Sequence, residues 1–410
     1  MTAVGRVAEI WRYPVKSMGG ERLAHSTIEK RGLHADRMWA VRDVDRDTFT
    51  TARRRPVLLQ CSARFVEDPA GRSAGPGDVL EVIVTFPDGS EASSSGPAIH
   101  DRLSELIGKP ARLEPLPALS EKQRYRTPQA TKADIRRQFN IPDGEPLPDF
   151  SMFPVRKLAE LARYATPVGA LYDAYPILLL TRASLRALAE LSPSSQFDAR
   201  RFRPNVLIDC DGAQLAEFGW CGGEVRAPNV TFEADIPAVR CSIPTREQGD
   251  LPADPDILRT INAHADHCLG VYANVAKSGV LVEGELLEFE PGAASAPTSV
   301  ARHCRRCSRR FAPEVRPPTA LPPVYVFGSY ARGALTVGDV DVDIEYDAKL
   351  DPSVERELVD NLVVGRDWYR PFRKALAQVG LRQAELRDQA EAHPRASVVP
   401  GVPGALAHLG

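Results

Sequence analysis

The sequence lacks several features, and each lack argues against a class of protein. No run approaches the roughly 18 consecutive apolar residues that a membrane-crossing helix requires. The longest apolar cluster, Tyr175-Pro-Ile-Leu-Leu-Leu180, is far shorter. The first residues, Met1-Thr-Ala-Val-Gly-Arg-Val7, have neither the basic start nor the apolar core of a secretory signal. Charge of one sign is missing as well. The 52 Lys and Arg stand against 54 Asp and Glu, for a net charge of −2. That balance argues against a globally basic nucleic-acid binder and leaves only a local basic patch open. Cysteine is scarce: seven residues, at 61, 210, 221, 241, 268, 304 and 307. An odd, scattered set in a long chain is no disulfide framework, so a reducing, cytoplasmic setting with no membrane contact is expected. No internal repeat is visible.

What remains fits a soluble chain of several domains. At about 100–200 residues per domain, 410 residues imply two or three. Hydrophobic residues are 43% and charged residues 26%, enough for a true core. The 35 prolines exceed the usual share of ~5%, which predicts many loops and short strands.

The first hundred residues read as β. Arg6 to Trp11, Arg37 to Val41, Phe49 to Ala52 and Val79 to Phe86 have strand character, the last ending at the turn Pro87-Asp88-Gly89. A short helix is expected from Asp101 to Gly108. Residues 109–165 read as a polar, Pro-rich connection. Ile177 to Leu180 and Val206 to Asp209 read as buried strands, Ser184 to Leu191 as a helix, and Glu224 to Phe232 and Leu281 to Phe289 as late β elements. The composition changes near residue 291, where a Pro- and Arg-rich linker begins. A new strand, Val324-Tyr-Val-Phe327, opens a last unit that is helix-compatible from Val354 to about Ala390.

Three segments carry candidate chemistry. Tyr13-Pro14-Val15-Lys16-Ser17-Met18-Gly19-Gly20 puts a cation and a hydroxyl at a strand end, where an anion can bind. Arg201-Phe202-Arg203-Pro204-Asn205-Val206 offers a guanidinium fork and an amide just before a strand. In Val239-Arg240-Cys241-Ser242, the neighbouring Arg240 favours a Cys241 thiolate, a soft ligand for a transition metal or a nucleophile. Singly, each segment equally suits a solvated turn, a carboxylate partner or a buried cysteine.

Together with Gly32-Leu-His-Ala-Asp-Arg37-Met-Trp39 and Asp173-Ala-Tyr-Pro176, their order resembles MOSC-domain proteins, in particular the amidoxime-reducing component and bacterial YcbX-type relatives. The resemblance covers about residues 5–290. It implies a β-rich, mixed α/β chain in which an N-terminal MOSC β-barrel domain (1–110) is joined by a Pro-rich connection (111–170) to a MOSC β-barrel domain (171–290). It also implies a molybdenum pterin cofactor, Mo-molybdopterin, held through catalytic Cys241. Lys16, Ser17, Arg37, Arg203, Asn205 and Arg240 are its implied contacts. The implied reaction is two-electron reduction of a small N-hydroxylated substrate. No ferredoxin-type cysteine spacing is present. Electrons would therefore come from a separate flavin, heme or iron–sulfur protein. After the cysteine the family runs through Thr-Thr, where this chain has Pro244-Thr245 and an altered loop to Asp250, so its specificity is expected to differ.

A second constellation lies beyond a basic Pro-rich linker (291–323). Gly328-Ser329 follows a strand, and Asp339, Asp341 and Asp343 alternate onto one face of the next. A Gly-Ser turn can approach a triphosphate, and two carboxylates at i, i+2 can hold Mg²⁺. Residues 324–347 resemble minimal polymerase β-like nucleotidyltransferases, which implies a small α/β domain over 324–410. In that reading Asp339 and Asp341 are the Mg²⁺ ligands, and Gly328 and Ser329 bind a nucleoside triphosphate. Gly338 replaces the customary Ser, the spacing is one residue short, and no third carboxylate follows Asp347 in place. Nucleotidyl transfer and a degenerate nucleotide-binding module both remain open.

Cys304-Arg-Arg-Cys307 with His303 is half a zinc site without a second half. His264, His267 and Cys268 lack a carboxylate partner and read as a helix end. The arginine run 302–316 has little aromatic interleaving and reads as a solvated linker rather than a nucleic-acid stripe. Three functions are therefore expected in order: a molybdenum-cofactor reductase, a sulfur or pterin carrier working through Cys241, and Mg²⁺-dependent nucleotidyl transfer at the far end.

Overall fold

The computed structural model describes residues 1–292, except 129, 143–146, 149 and 211–214, together with the backbone of a short strand pair, Tyr325–Val326 against Ser397–Val398. The expected nucleotidyltransferase-like unit, with Gly328, Ser329, Asp339 and Asp341, lies outside the described residues. So do Cys304, Cys307 and the linker from residue 293 onward.

Seven strands close into a barrel: β1 (Thr2–Arg12), β2 (Ile177–Thr181), β3 (Val206–Asp209), β4 (Gly223–Arg226), β5 (Thr231–Val239), β6 (Cys268–Lys277) and β7 (Leu286–Glu290). Their order around the barrel is β3-β2-β6-β5-β4-β7-β1, and β1 pairs back onto β3. Only β2 and β3 are parallel; the other neighbours are antiparallel. The first strand of the chain thus completes a barrel built from the later half. Closure removes the free edges that an open sheet would expose.

Alternation decides what fills the barrel. Ile177 and Leu179 of β2, and Val206 and Ile208 of β3, join the interior cluster with Phe232, Ile236 and Val271. Leu180 and Leu207 face outward instead and are covered by helices. Strands buried on both faces read as unbroken apolar runs, which is why Ile-Leu-Leu-Leu shows no polar alternation. In β1 the register against β3 slips between Val7 and Glu9. That irregularity lets Val7 and Ile10, three apart, both face the core.

Five α-helices are found among the described residues: α1 (Ala98–Ile107), α2 (Lys132–Phe139), α3 (Val155–Arg163), α4 (Arg182–Leu191) and α5 (Asp256–Ala265). The covering helices of the barrel are α4 and α5, through Leu185, Leu188, Ile257 and Ile261. Thr181 caps α4 by accepting from the Ser184 amide at 3.2 Å. His264 lies in the last turn of α5, which ends at Asp266 in a left-handed conformation. Among the described residues no group of three or more His, Cys, Asp or Glu could hold a metal. No helix there is long and apolar enough to cross a membrane.

A second core lies beside the barrel. Two three-stranded sheets, Trp39–Asp43 with Thr48–Phe49 and Ala111–Pro115, and Ser62–Phe65 with Val82–Thr85 and Glu91–Ser93, enclose Val41, Phe49, Leu58, Val82, Val84 and Leu113. Helix α1 adds Ile99 and Leu103 and ends at Gly108, whose φ of 68° suits glycine.

Three expectations change. Glu224 to Phe232 is a hairpin rather than one element. Pro228 and Asn229 make the turn, closed by the Ala227 amide on the Val230 carbonyl at 2.8 Å. Leu281 to Phe289 likewise divides at Gly284, φ 88°, where Gly279–Val282 leaves the barrel to pair with His25–Glu29. Residues 111–170, expected as a Pro-rich connection, carry a strand, α2 and α3. These helices are eight and nine residues long and each fully buries a single side chain, Ile135 or Leu158. So short an apolar stripe leaves little periodicity to read.

Arg201, quoted above only as part of a motif, is the largest fully buried side chain. It donates to the carbonyls of Gln196 (3.0 Å), Pro244 (3.2 Å), Arg246 (3.2 Å) and Pro252 (2.8 Å), pinning the loop after Cys241. Arg201→Met strands those acceptors and is expected to cost about 3 kcal/mol. Thermal denaturation should show a midpoint about 5–10 °C lower, and an unchanged midpoint would contradict the role.

Candidate functional site

The site forms where β1 leaves the barrel and enters the second core. Beyond Arg12 the chain bends at Pro14 and turns at Lys16–Ser17, held by the Tyr13 amide on Asp36 Oδ1 at 2.8 Å and the Lys16 amide on the Trp39 carbonyl at 2.8 Å. Val15 and Met18 then pack into the second core. Lys16 and Ser17 are therefore held at the seam between two hydrophobic clusters.

Lys16, Ser17, Arg37, Arg203, Asn205, Arg240 and Cys241 all line one pocket at this seam. Three of them, Ser17 (φ 69°), Arg37 (φ 52°) and Arg203 (φ 56°), adopt the left-handed backbone conformation. Non-glycine residues seldom do so without compensation, and such positions gather at ligand sites. The rings and forks interlock around Tyr13. Arg203 lies over its face at 4.2 Å and Arg37 at 5.0 Å, while its hydroxyl donates to the Pro204 carbonyl at 3.1 Å.

The charges differ in their partners. Burial works against the Arg37 charge, and Asp36, hydrogen-bonded to it, together with Tyr13 and Asp173 outweighs that effect. Lys16 donates to the Leu171 carbonyl at 2.8 Å and is ion-paired with Asp173. Burial still dominates and pulls its ammonium down to about 8. Arg203 donates to the Met18 carbonyl, and burial lowers it to about 10. Arg240 donates to the carbonyls of Leu269 (2.8 Å) and Phe202 (3.3 Å), and burial lowers it too. One outer nitrogen of each fork, Arg203 Nη2 and Arg240 Nη2, is buried without a hydrogen-bond partner among the described residues. Buried donors are nearly always satisfied, so two orphans in one cationic pocket point to a missing acceptor.

The remaining two are held by the protein itself. Asn205 accepts from the Leu178 amide at 3.3 Å and donates to Asp36 Oδ2 at 3.2 Å, tying β2 to the Asp36 loop. Ser17 Oγ accepts from the Ala52 amide at 3.0 Å, which leaves the hydroxyl proton for another acceptor.

Cys241 is half-buried just beyond the end of β5 and forms no disulfide among the described residues. Arg53 and Arg240 both lie within electrostatic reach of its sulfur, and the Arg240 fork also donates to backbone carbonyls. Arg53 also faces Asp173 at 3.4 Å. Partial desolvation would raise the Asp173 carboxyl, but Arg53, Lys16 and Arg37 hold it well below the usual range. Asp173 thus links Lys16 on one side to the Arg53–Cys241 pair on the other.

Sequence reasoning missed Arg53, Tyr272 and Gly270, and gave Asp173 no role. Arg53 is one of three consecutive arginines, with nothing to mark it off from a solvated run. Tyr272 stacks on Tyr175 at 5.2 Å beside Cys241, and burial raises its phenol to about 12. Gly270, at φ 76°, was the one legible signal: a Cβ there would lie 2.6 Å from the Leu179 carbonyl and 3.4 Å from Arg240 Nη2.

A barrel of this topology with a cation-lined seam defines a class. Residues 4–102 match the MOSC N-terminal beta barrel domain and residues 168–288 match the MOSC domain. The chain carries these two domains in that order. It is 26% identical over 259 residues to mitochondrial amidoxime-reducing component 1 of Mus musculus, covering 62% of this chain and 67% of that protein. It is 26% identical over 253 residues to molybdenum cofactor sulfurase of Drosophila grimshawi, covering 61% of this chain and 29% of that protein. Among solved structures, the YUAD protein of Bacillus subtilis is similar at TM-score 0.34 and 10% identity, over 70% of this chain and 94% of that one. YiiM of Geobacillus stearothermophilus is similar at TM-score 0.26 and 21% identity, over 33% and 65%.

An anion held among these cations would bind in a pH-dependent way through Lys16. Lys16 loses its proton as pH rises through about 8, so affinity for sulfate, whose charge is constant in this range, should fall between pH 7 and 9. Lys16→Met should bind more weakly and show no such slope. Parallel slopes in calorimetric titrations of both proteins would contradict this. The same depression means that the unfolded chain holds the extra proton between about 8 and 10.5, so fold stability from this group rises with pH in that window.

Proposed function

We propose that this chain binds a molybdenum pterin cofactor at the seam and reduces small N-hydroxylated molecules with electrons from a separate protein. The observation that carries the reading is the pair of buried, unpartnered guanidinium nitrogens of Arg203 and Arg240 in a pocket that Cys241 also lines. The donor set fits the group. Cys241 offers the thiolate that molybdenum takes from a protein. Lys16, Arg37, Arg203 and Arg240 supply charge-assisted donors for a phosphate, and Ser17 adds a hydroxyl. Asn205 serves by holding Asp36, and through it Arg37, in place. When bound, the cofactor supplies two-electron redox chemistry; the chain supplies binding, orientation and exclusion of water. Arg53 and Asp173 fix the cysteine side, and the Gln138 carbonyl accepts from the Ser242 amide at 2.9 Å, tying α2 to the residue after Cys241.

The two curated relatives, an amidoxime-reducing component and a cofactor sulfurase, support molybdenum chemistry without choosing between reduction and carriage. An apolar groove that opens against Cys241 favours reduction of an organic substrate over a carrier role. A persulfide on Cys241 without molybdenum, seen by intact-protein mass spectrometry, would favour the carrier. Mg²⁺-dependent nucleotidyl transfer by residues 324–410 rests on Asp339 and Asp341 in the sequence alone.

Cofactor-loaded protein supplied with reduced methyl viologen is expected to convert benzamidoxime to benzamidine. Cys241→Ala should fall to the background rate. Equal turnover in both would overturn the assignment.

A further inference from the structure

A second, mainly apolar groove also reaches Cys241, with Arg53 and Arg54 among its lining. This groove, of about 240 Å³, starts at Cys241, Asp173 and Tyr272 and runs under α2 and α3. That volume lies just below the usual range for small-molecule pockets, about 300–1,000 Å³. Its far wall comes from the stretch 127–165, which neither domain match covers. The bridge between Arg126 and Tyr164 brings the ends of this stretch together, and the Gln138–Ser242 bond ties α2 next to Cys241.

Two features of the groove describe its occupant. The first is a ladder of rings. Phe139 and Phe150 meet edge to face at 5.4 Å, Phe150 and Phe153 lie 6.2 Å apart, and Phe153 leads at 6.3 Å to Tyr175, which stacks on Tyr272. Leu158 and Leu161 complete the wall. A flat ring suits such a surface by offset or edge-to-face contact.

The second feature is Arg54. It lines the same groove, is half-buried, and its side chain has no hydrogen bond or ion pair among the described residues. Burial and the neighbouring Arg46 both weigh against its charge. Among the described residues, the acids near it, Asp134 and Asp43, are engaged elsewhere. Asp134 is held by Thr131 and Arg137, and Asp43 by the Arg46 amide and by Arg55 at 3.8 Å. A half-buried guanidinium in an apolar groove, with its nearest acids taken, is complementary to an anion brought by the ligand.

We propose that the groove selects aromatic substrates bearing a carboxylate, with the ring along the Phe139–Phe150 wall, the carboxylate on Arg54 and the reacting nitrogen group toward Cys241. The last element rests on the function proposed above; the ring and carboxylate elements do not.

The test is therefore a binding measurement with probes that cannot be reduced. Calorimetry on the full chain compares 4-carbamoylbenzoate with neutral benzamide. The carboxylate is expected to bind about tenfold tighter, the gain of one charge-assisted contact. Arg54→Ala should abolish that preference while leaving benzamide unchanged, and Arg54→Lys should restore part of it. Phe150→Ala should weaken both probes, with circular dichroism reporting an unaltered fold. Equal affinity for the two probes in the wild type, a preference that survives Arg54→Ala, or no binding of either probe would overturn the proposal. Loss of reductase activity or of molybdenum with this preference intact would overturn only the function above.

Discussion

Burying cations faster than carboxylates is the constraint on which the rest of this structure depends. At the seam between the two cores, Lys16, Arg37, Arg203 and Arg240 are packed with Asp36 and Asp173 as their acids. A buried charge without a counter-charge is costly, and the cost shows in the lowered proton affinity of Lys16, Arg203 and Arg240. The fold meets part of it with backbone carbonyls and with the Tyr13 ring. It leaves two guanidinium nitrogens unmet. An anionic ligand would resolve that imbalance, and left-handed backbone at Ser17, Arg37 and Arg203 is the local strain by which the chain presents these groups.

Closure of the barrel by β1 explains why the site can exist. The strand is fixed by β3 and β7 along its length and then passes directly into the second core, so its end cannot drift. The segment after it, the Arg203 turn before β3 and Cys241 at the end of β5 converge on one place although they are far apart in sequence. Cys241 then stands at a boundary, lining both a cationic pocket and an aromatic groove. Asp173 and Arg53 connect the two environments. Such a division suits a bound polar cofactor facing a mainly apolar substrate.

Much of the barrel was legible because its strands carry unbroken apolar runs or alternation, as in Ile177 to Leu180 and Val206 to Asp209. The candidate site was legible through short motifs whose residue types are costly to place without reason, such as Arg203-Pro-Asn205. What could not be read depends on three-dimensional closure. That β1 belongs with strands more than 160 residues later follows from pairing, not from any local pattern. The helices α2 and α3 have too few buried positions to announce themselves, and with them the groove was hidden. Arg53 became notable only when folding brought it to Cys241. The adjacent Arg240, read from the sequence as a cation beside the sulfur, interacts with Cys241 and also donates to the carbonyls of Leu269 and Phe202.

On the proposed reading, Cys241 and the surrounding cations hold a molybdenum pterin. The measurement that tests it most directly is molybdenum and pterin content per chain after expression in a host that makes the cofactor, for wild type, Cys241→Ala and the double variant Arg203→Met with Arg240→Met. The account predicts near-stoichiometric molybdenum and pterin in the wild type, loss of molybdenum in Cys241→Ala, and loss of both in the double variant. Absence of molybdenum and pterin from the wild type, or equal content in all three proteins, would contradict it.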